Sequence, residues 1–237
     1  PAFEKLLELV QAGELGKIGY IQAHRIGLGK FHCQNDALWD LAPHDVSIFL
    51  HLLEDSPEEV SAEGAACVQR QRCIHDVVYL KLFFPGAVLA NVRVSWLDPV
   101  KTRRLIVVGS KKMLVYDDIA ENKVMLYDKG VERPPYSTTP EEFHLSYRHG
   151  PETPVEFEWR EPLRVECEAF ANWITTGQPA CSDAWMGVRV VRVLEAAQRS
   201  LMGQYVNSRG TTVAGWVVAA AIVALNIGLV VMELAGR

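Results

Sequence analysis

Residues 36–48, Asp-Ala-Leu-Trp-Asp-Leu-Ala-Pro-His-Asp-Val-Ser-Ile, hold the densest set of groups able to do chemistry. Asp40 and His44 stand four residues apart, and Asp45 follows His44 directly. An imidazole beside a carboxylate is a competent general base, because the carboxylate selects its tautomer and stabilises the imidazolium that forms. A helix beginning near Leu41 to Pro43 places His44 in its first turn, where unpaired backbone N–H groups often face a pocket. The competing reading is structural: Asp40 feeds backbone donors as a capping group and His44 packs against Trp39. The spacing alone leaves both open.

A second cluster is Cys67, Cys73 and His75. Its cysteine spacing is wider than that of a zinc site and no second pair lies near, so it reads as part of a half-buried strand pair and no metal is expected. Cysteines stand at 33, 67, 73, 167 and 181, an odd number in a chain of this length, which points to reduced thiols and a cytoplasmic setting.

The chain has 237 residues, 24 Lys and Arg against 29 Asp and Glu, and a net charge of -5. That balance argues against a nucleic-acid partner, since backbone phosphates demand a concentrated basic surface. With 49% hydrophobic and 22% charged residues it can bury a sizeable core. Its mean hydropathy of +0.04 is high for an enzyme and points to a skewing segment. That segment is 213–232, an uncharged run as long as a bilayer core is thick, with Trp216 near one edge. It is read as a membrane-spanning helix and a point of membrane contact. The alternatives are a buried or dimer-interface helix and a non-native tail.

The elements around the chemistry follow from periodicity. Residues 1–10 repeat apolar positions at helical spacing and stop at Gly13. A helix at residue 1, with no initiator Met or capping residue before it, suggests a cut through a longer chain. Residues 17–29 and 59–69 read as strands and 41–55 as a helix. Asp76 to Trp96 reads as a hairpin turning at Pro85-Gly86, and 103–118 as another around Gly109-Ser110. Short strands are expected at 123–130 and 155–160, with a proline-rich loop over 131–154 between them. Residues 161–177 and 183–203 read as helices, the first closed by Gly177 and the second capped by Ser182. Successive hairpins with helices before and after them give an α+β fold: an open, largely antiparallel sheet with helices on one face, over 1–208, followed by an apolar helix in 209–237. No Gly-x-Gly-x-x-Gly occurs, so no dinucleotide cradle is visible.

Several pieces, in order, resemble the second domain of the Gfo/Idh/MocA oxidoreductases. These are the Asp-x-x-x-His-Asp at 40–45, residues 13–27, residues 57–62, and the helix pair of 161–179 with 184–200. The likeness covers roughly residues 1 to 206. It implies a two-domain enzyme in which a Rossmann domain holds NAD or NADP and this domain holds a sugar-like substrate over the nicotinamide. It also implies that His44 takes the hydroxyl proton and that Asp40 orients His44 and touches the substrate. The Rossmann domain and its Lys-Pro are missing here, so the chain is expected to be the C-terminal part of an NAD(P)-dependent sugar dehydrogenase, inactive alone. Asp36-Ala37-Leu38-Trp39 replaces the glycines often found before the motif, and the Trp39–Asp45 segment resembles members acting on nucleotide-linked sugars. His24-Arg25-Ile26 departs from the His-Arg-Asn of inositol-type members. Asp45, Trp39, His24 and Arg25 are therefore substrate-binding candidates. The likeness further implies a homo-oligomer formed through the open sheet face.

Two other classes remain: a sugar-binding or assembly module without catalysis, and a membrane-anchored scaffold in polysaccharide assembly.

Overall fold

In the computed structural model, residues 1–132, 145–178, 180, 182–203 and 209–235 are described. They form five α-helices, two single-turn 3-10 helices and eight strands. Helices are α1 (Ala2–Gln11), α2 (Ala37–Leu53), α3 (Pro162–Thr176), α4 (Ala184–Met202) and α5 (Arg209–Ala235). Strands are β1 (Ile18–Ile26), β2 (Glu59–Ala65), β3 (Val77–Phe84), β4 (Val88–Ser95), β5 (Thr102–Gly109), β6 (Met113–Asp117), β7 (Val124–Glu132) and β8 (Ser146–Pro154). The chain divides into two compact units, Pro1–Leu201 and Met202–Arg237.

All eight strands join one open sheet in the order β2-β3-β4-β1-β5-β6-β7-β8. Only β1 and β4 pair in parallel; the other neighbours are antiparallel, as the hairpin pattern predicts. Period-two alternation decides which face each side chain joins. On β3, Val78, Leu80, Leu82 and Phe84 are buried while Tyr79 and Phe83 are exposed on the other face. On α2, Ala42, Val46, Phe49 and Leu50 make the stripe that packs across β4, β1 and β3. α1 lies against α2 through Leu6, and Val190, Val193, Leu194 and Ala197 of α4 join the same core. Gly86, at φ 73°, makes the β3–β4 turn expected at Pro85-Gly86.

Several expectations are corrected. α2 starts at Ala37 because Asp36 caps it, its side chain accepting from the Trp39 N–H, so Pro43 lies inside the helix and His44 beyond the first turn. The cap of α4 is Asp183, whose Oδ1 accepts from the Met186 N–H at 2.8 Å. Cys67 and Cys73 are exposed and follow the end of β2, not on a strand. Among the described residues no group of three His, Cys, Asp or Glu could hold a metal. Residues 146–154, expected in a loop, form β8, while 155–160 is not a strand. Strand β8 tolerates Pro151 and Pro154 because it is an edge strand bonded only to β7. Residues 133–144 of the expected loop lie outside the described residues.

The membrane-spanning expectation for 213–232 gains no support. Among the described residues no helix is long and apolar enough to cross a membrane.

Candidate active site

The site forms where the end of β1 meets the start of α2. Asp36 is buried and its Oδ1 accepts from the Trp39 N–H at 3.1 Å, which fixes the first turn of α2. Asp40 and His44 then lie one helical turn apart on one face. Pro43 has no N–H, so the Trp39 carbonyl loses its helical partner beside them.

Asp45 points towards the sheet. It is buried and binds Arg25 through two hydrogen bonds, Nε to Oδ2 at 2.8 Å and Nη2 to Oδ1 at 3.1 Å. This fork-shaped pair ties α2 to β1. Arg25 shares its face of β1 with buried Ile21 and Ala23. His24 therefore faces the other way, in register with Arg93 and Arg104. There the Tyr20 hydroxyl donates to Gln22 Oε1 at 2.6 Å, and the Gln22 amide donates to His24 Nε2 at 2.5 Å. His24 is not brought to the site, because neighbouring strand residues point to opposite faces.

Trp39 is not brought there either. Its indole N–H donates to Gln198 Oε1 on α4 at 3.2 Å, and its ring joins Asp36 and Cys73 in lining a separate cavity. Asp40 does face the site. Its Oδ2 accepts from the indole N–H of Trp96 at 2.9 Å, and the His32 imidazole lies 3.9 Å from its Oδ1. Trp96 is wholly buried, and Gly29 lies so close that a Cβ there would sit 3.1 Å from the indole ring.

Asp40 and Trp96 border a groove of about 530 Å³ whose lining also includes Arg25, Lys30, Lys101 and Arg103. His44 lies outside the lining of this groove, at a solvent-facing position of α2 that leaves its ring partly covered. Partial burial of the ring, then the charge of Arg25, holds the His44 pKa below the ordinary imidazole value; Asp45 and Asp40 pull the other way. At neutral pH the imidazole is thus unprotonated and ready to accept a proton. Behind Arg25 a smaller cavity of about 100 Å³ is bordered by Asp45, Arg103, Tyr116 and Asp118. The Tyr116 hydroxyl donates to Asp118 Oδ1 at 3.1 Å, and burial followed by the Asp118 charge raises the phenol pKa well above its usual value.

Of the six candidates, Asp40, Asp45 and Arg25 gather where β1 meets α2, and His44 is near enough to feel their charges. Sequence reasoning missed Trp96, Lys30, Lys101 and Arg103. Lys101 and Arg103 straddle one strand start, a weak signal; Trp96 had none, since its bond to Asp40 spans 56 residues.

Residues 3–115 match the family model described as the GFO/IDH/MocA C-terminal domain. No curated protein matches by sequence. Among solved structures, UDP-N-acetylglucosamine 3-dehydrogenase GnnA from Acidithiobacillus ferrooxidans is similar at 24% identity and TM-score 0.66, over 83% of this chain and 58% of that one. A provisionally named oxidoreductase from Magnetospirillum magnetotacticum MS-1 has 28% identity and TM-score 0.62, over 81% and 59%. The aldose-aldose oxidoreductase from Caulobacter crescentus, complexed with glycerol, has 18% identity and TM-score 0.66, over 84% and 58%. The chain thus spans under two thirds of the length of each of these three structures.

Proposed function

We propose that this chain, whose residues 3–115 belong to the GFO/IDH/MocA C-terminal domain family, is the substrate-binding and catalytic part of an NAD(P)-dependent oxidoreductase acting on a sugar hydroxyl. The family and its structural neighbours are oxidoreductases, some of them acting on sugars. The observation that carries the reading is the pairing of Asp40, fixed by the Trp96 indole at 2.9 Å, with His44 one helical turn along.

The fit to a nicotinamide dinucleotide is partial. This chain has no Gly-x-Gly-x-x-Gly cradle for it. It offers the other half of such a site: an open groove with a carboxylate, an aromatic wall and room for a sugar ring. A nucleotide-binding domain outside these residues would hold the cofactor. When bound, it supplies the acceptor for the hydride from the carbinol carbon.

His44, unprotonated at neutral pH, takes the hydroxyl proton as the carbonyl forms. Asp40, held by Trp96 and facing the groove, accepts a hydrogen bond from the sugar and favours the imidazolium as it forms. Arg25 and Asp45 hold α2 against β1, so that both groups keep their places. The likeness to GnnA supports a nucleotide-linked sugar as the substrate. The exposed Tyr79 and Phe83 on the open face of β3 support a homo-oligomer formed through that face.

The test is turnover by the complete polypeptide carrying both domains. His44→Asn should lower kcat by about 10²–10⁴-fold, the usual contribution of a positioned base, with KM little changed. Unchanged kcat in that variant would remove His44 from the chemistry and favour a binding module.

A further inference from the structure

The groove beside Asp40 has a charge opposite to that of the whole chain. The chain carries a net charge of -5, yet Arg25, Lys30, Lys101 and Arg103 line the groove and Asp40 is the one carboxylate in that lining. Two of these cations are already matched. Arg25 is held by Asp45 at 2.8 Å, and Arg103 meets Asp118 in a looser contact at 3.4 Å. Lys30 and Lys101, among the described residues, make neither an ion pair nor a side-chain hydrogen bond.

The backbone holds these two lysines at one groove. The Gly27 N–H donates to the Ser95 carbonyl and the Gly29 N–H to the Trp96 carbonyl, both at 3.1 Å, which anchors the loop leading to Lys30. Gly27 lies against the Lys101 backbone: a Cβ there would sit 3.3 Å from the Lys101 Cα. Both segments therefore border the groove from fixed backbone, while their ammonium groups stay free to meet an anion.

We propose that Lys30 and Lys101, with Arg103, select substrates whose sugar carries a phosphate or diphosphate, and set which way round it lies. Lysine binds phosphate as a compact point charge, and arginine as a planar fork. The carboxylate of Asp40 repels phosphate and accepts hydrogen bonds from hydroxyls. The phosphate end therefore lies on the lysines and the neutral, hydroxyl-bearing ring lies at Asp40, beside His44. This deepens the sugar-oxidoreductase reading and rests on it.

The test is calorimetric titration of the chain, and of a K30Q/K101Q variant, with four probes: UDP-N-acetylglucosamine, inorganic pyrophosphate, glucuronate and N-acetylglucosamine. Both lysines are exposed, so the variant should fold, and a thermal melt checks this. Expected is a loss of about tenfold or more in affinity for UDP-N-acetylglucosamine, with a weaker salt dependence and unchanged binding of N-acetylglucosamine. Equal affinity of both proteins for UDP-N-acetylglucosamine overturns the phosphate assignment and leaves the sugar reading standing. A larger loss for glucuronate than for the diphosphate also overturns it, in favour of an acidic sugar. Binding of pyrophosphate that depends on the lysines, with no sugar bound, supports the anion site and overturns the sugar reading. Failure of all four probes to bind overturns both.

Discussion

The indole N–H of Trp96 donates to Oδ2 of Asp40 at 2.9 Å, joining the end of β4 to the first turn of α2. A wholly buried ring thereby sets the position of a carboxylate that faces an open groove. Replacement by phenylalanine keeps most of the apolar volume and removes the donor. Trp96→Phe should cost about 1.5–3 kcal/mol, the range for a hydrogen bond to a charged group. In the two-domain enzyme it should lower kcat more than it raises KM. Urea denaturation and steady-state kinetics read the two effects, and an unchanged kcat would mean that Asp40 needs no such anchor.

Asp45 and Arg25 make a mostly buried pair, 6% and 18% exposed. Removing one partner strands the other charge, so Asp45→Ala should destabilise the fold by about 3–5 kcal/mol. Asp45→Asn keeps one acceptor and should cost less. Denaturation midpoints compare them; a loss below about 1 kcal/mol would class the pair with exposed ion pairs.

His44 and His24 are both held below the ordinary imidazole pKa, first by burial and then by arginine charge. A depressed folded-state value means that the unfolded chain binds protons first as the pH falls. Stability is therefore full above about pH 6.5 and declines as the pH drops through the folded-state values. His44→Gln should flatten part of that decline and leave the His24 share. Urea midpoints at about pH 7.5 and about pH 5.5 measure it, and a slope that His44→Gln leaves unchanged would refute the assignment.

Gly109 ends β5 against the chain before β1. A Cβ there would lie 2.1 Å from the Leu15 carbonyl oxygen, backbone that has no flexible end to move aside. Gly109→Ala should destabilise by about 1–3 kcal/mol or more through overpacking. Gly19→Ala, where a Cβ meets nothing within 4 Å, is the control and should change the melting temperature little.

Much of this protein is legible in one dimension. The alternation in β3 and the turn at Pro85-Gly86 predict the β3–β4 hairpin, and the apolar stripe at Val46, Phe49 and Leu50 predicts the face that α2 buries. These signals are local, because the side-chain periods of strand and helix are properties of the backbone. The Asp40–His44 spacing is local in the same way.

Burial-pattern reading failed where a neighbour in space overrode it. Pro43 marks a helix start by its chemistry, yet the Asp36 cap starts α2 a turn and a half earlier. The prolines of 146–154 argue for a loop, yet an edge position lets them pair. His24 and Arg25 are adjacent letters, and only the packing of α2 on one side of β1 sends Arg25 to the site and His24 away. Sequence by itself determined the type of most elements, 146–160 excepted, and the residues able to do acid–base work, since both follow from short-range spacing. Tertiary structure alone decided which of them meet. The Trp96 anchor and the gathering of Lys30 and Lys101 with Arg103 come from sheet order and the close approach at Gly27 and Gly29, which no local pattern encodes.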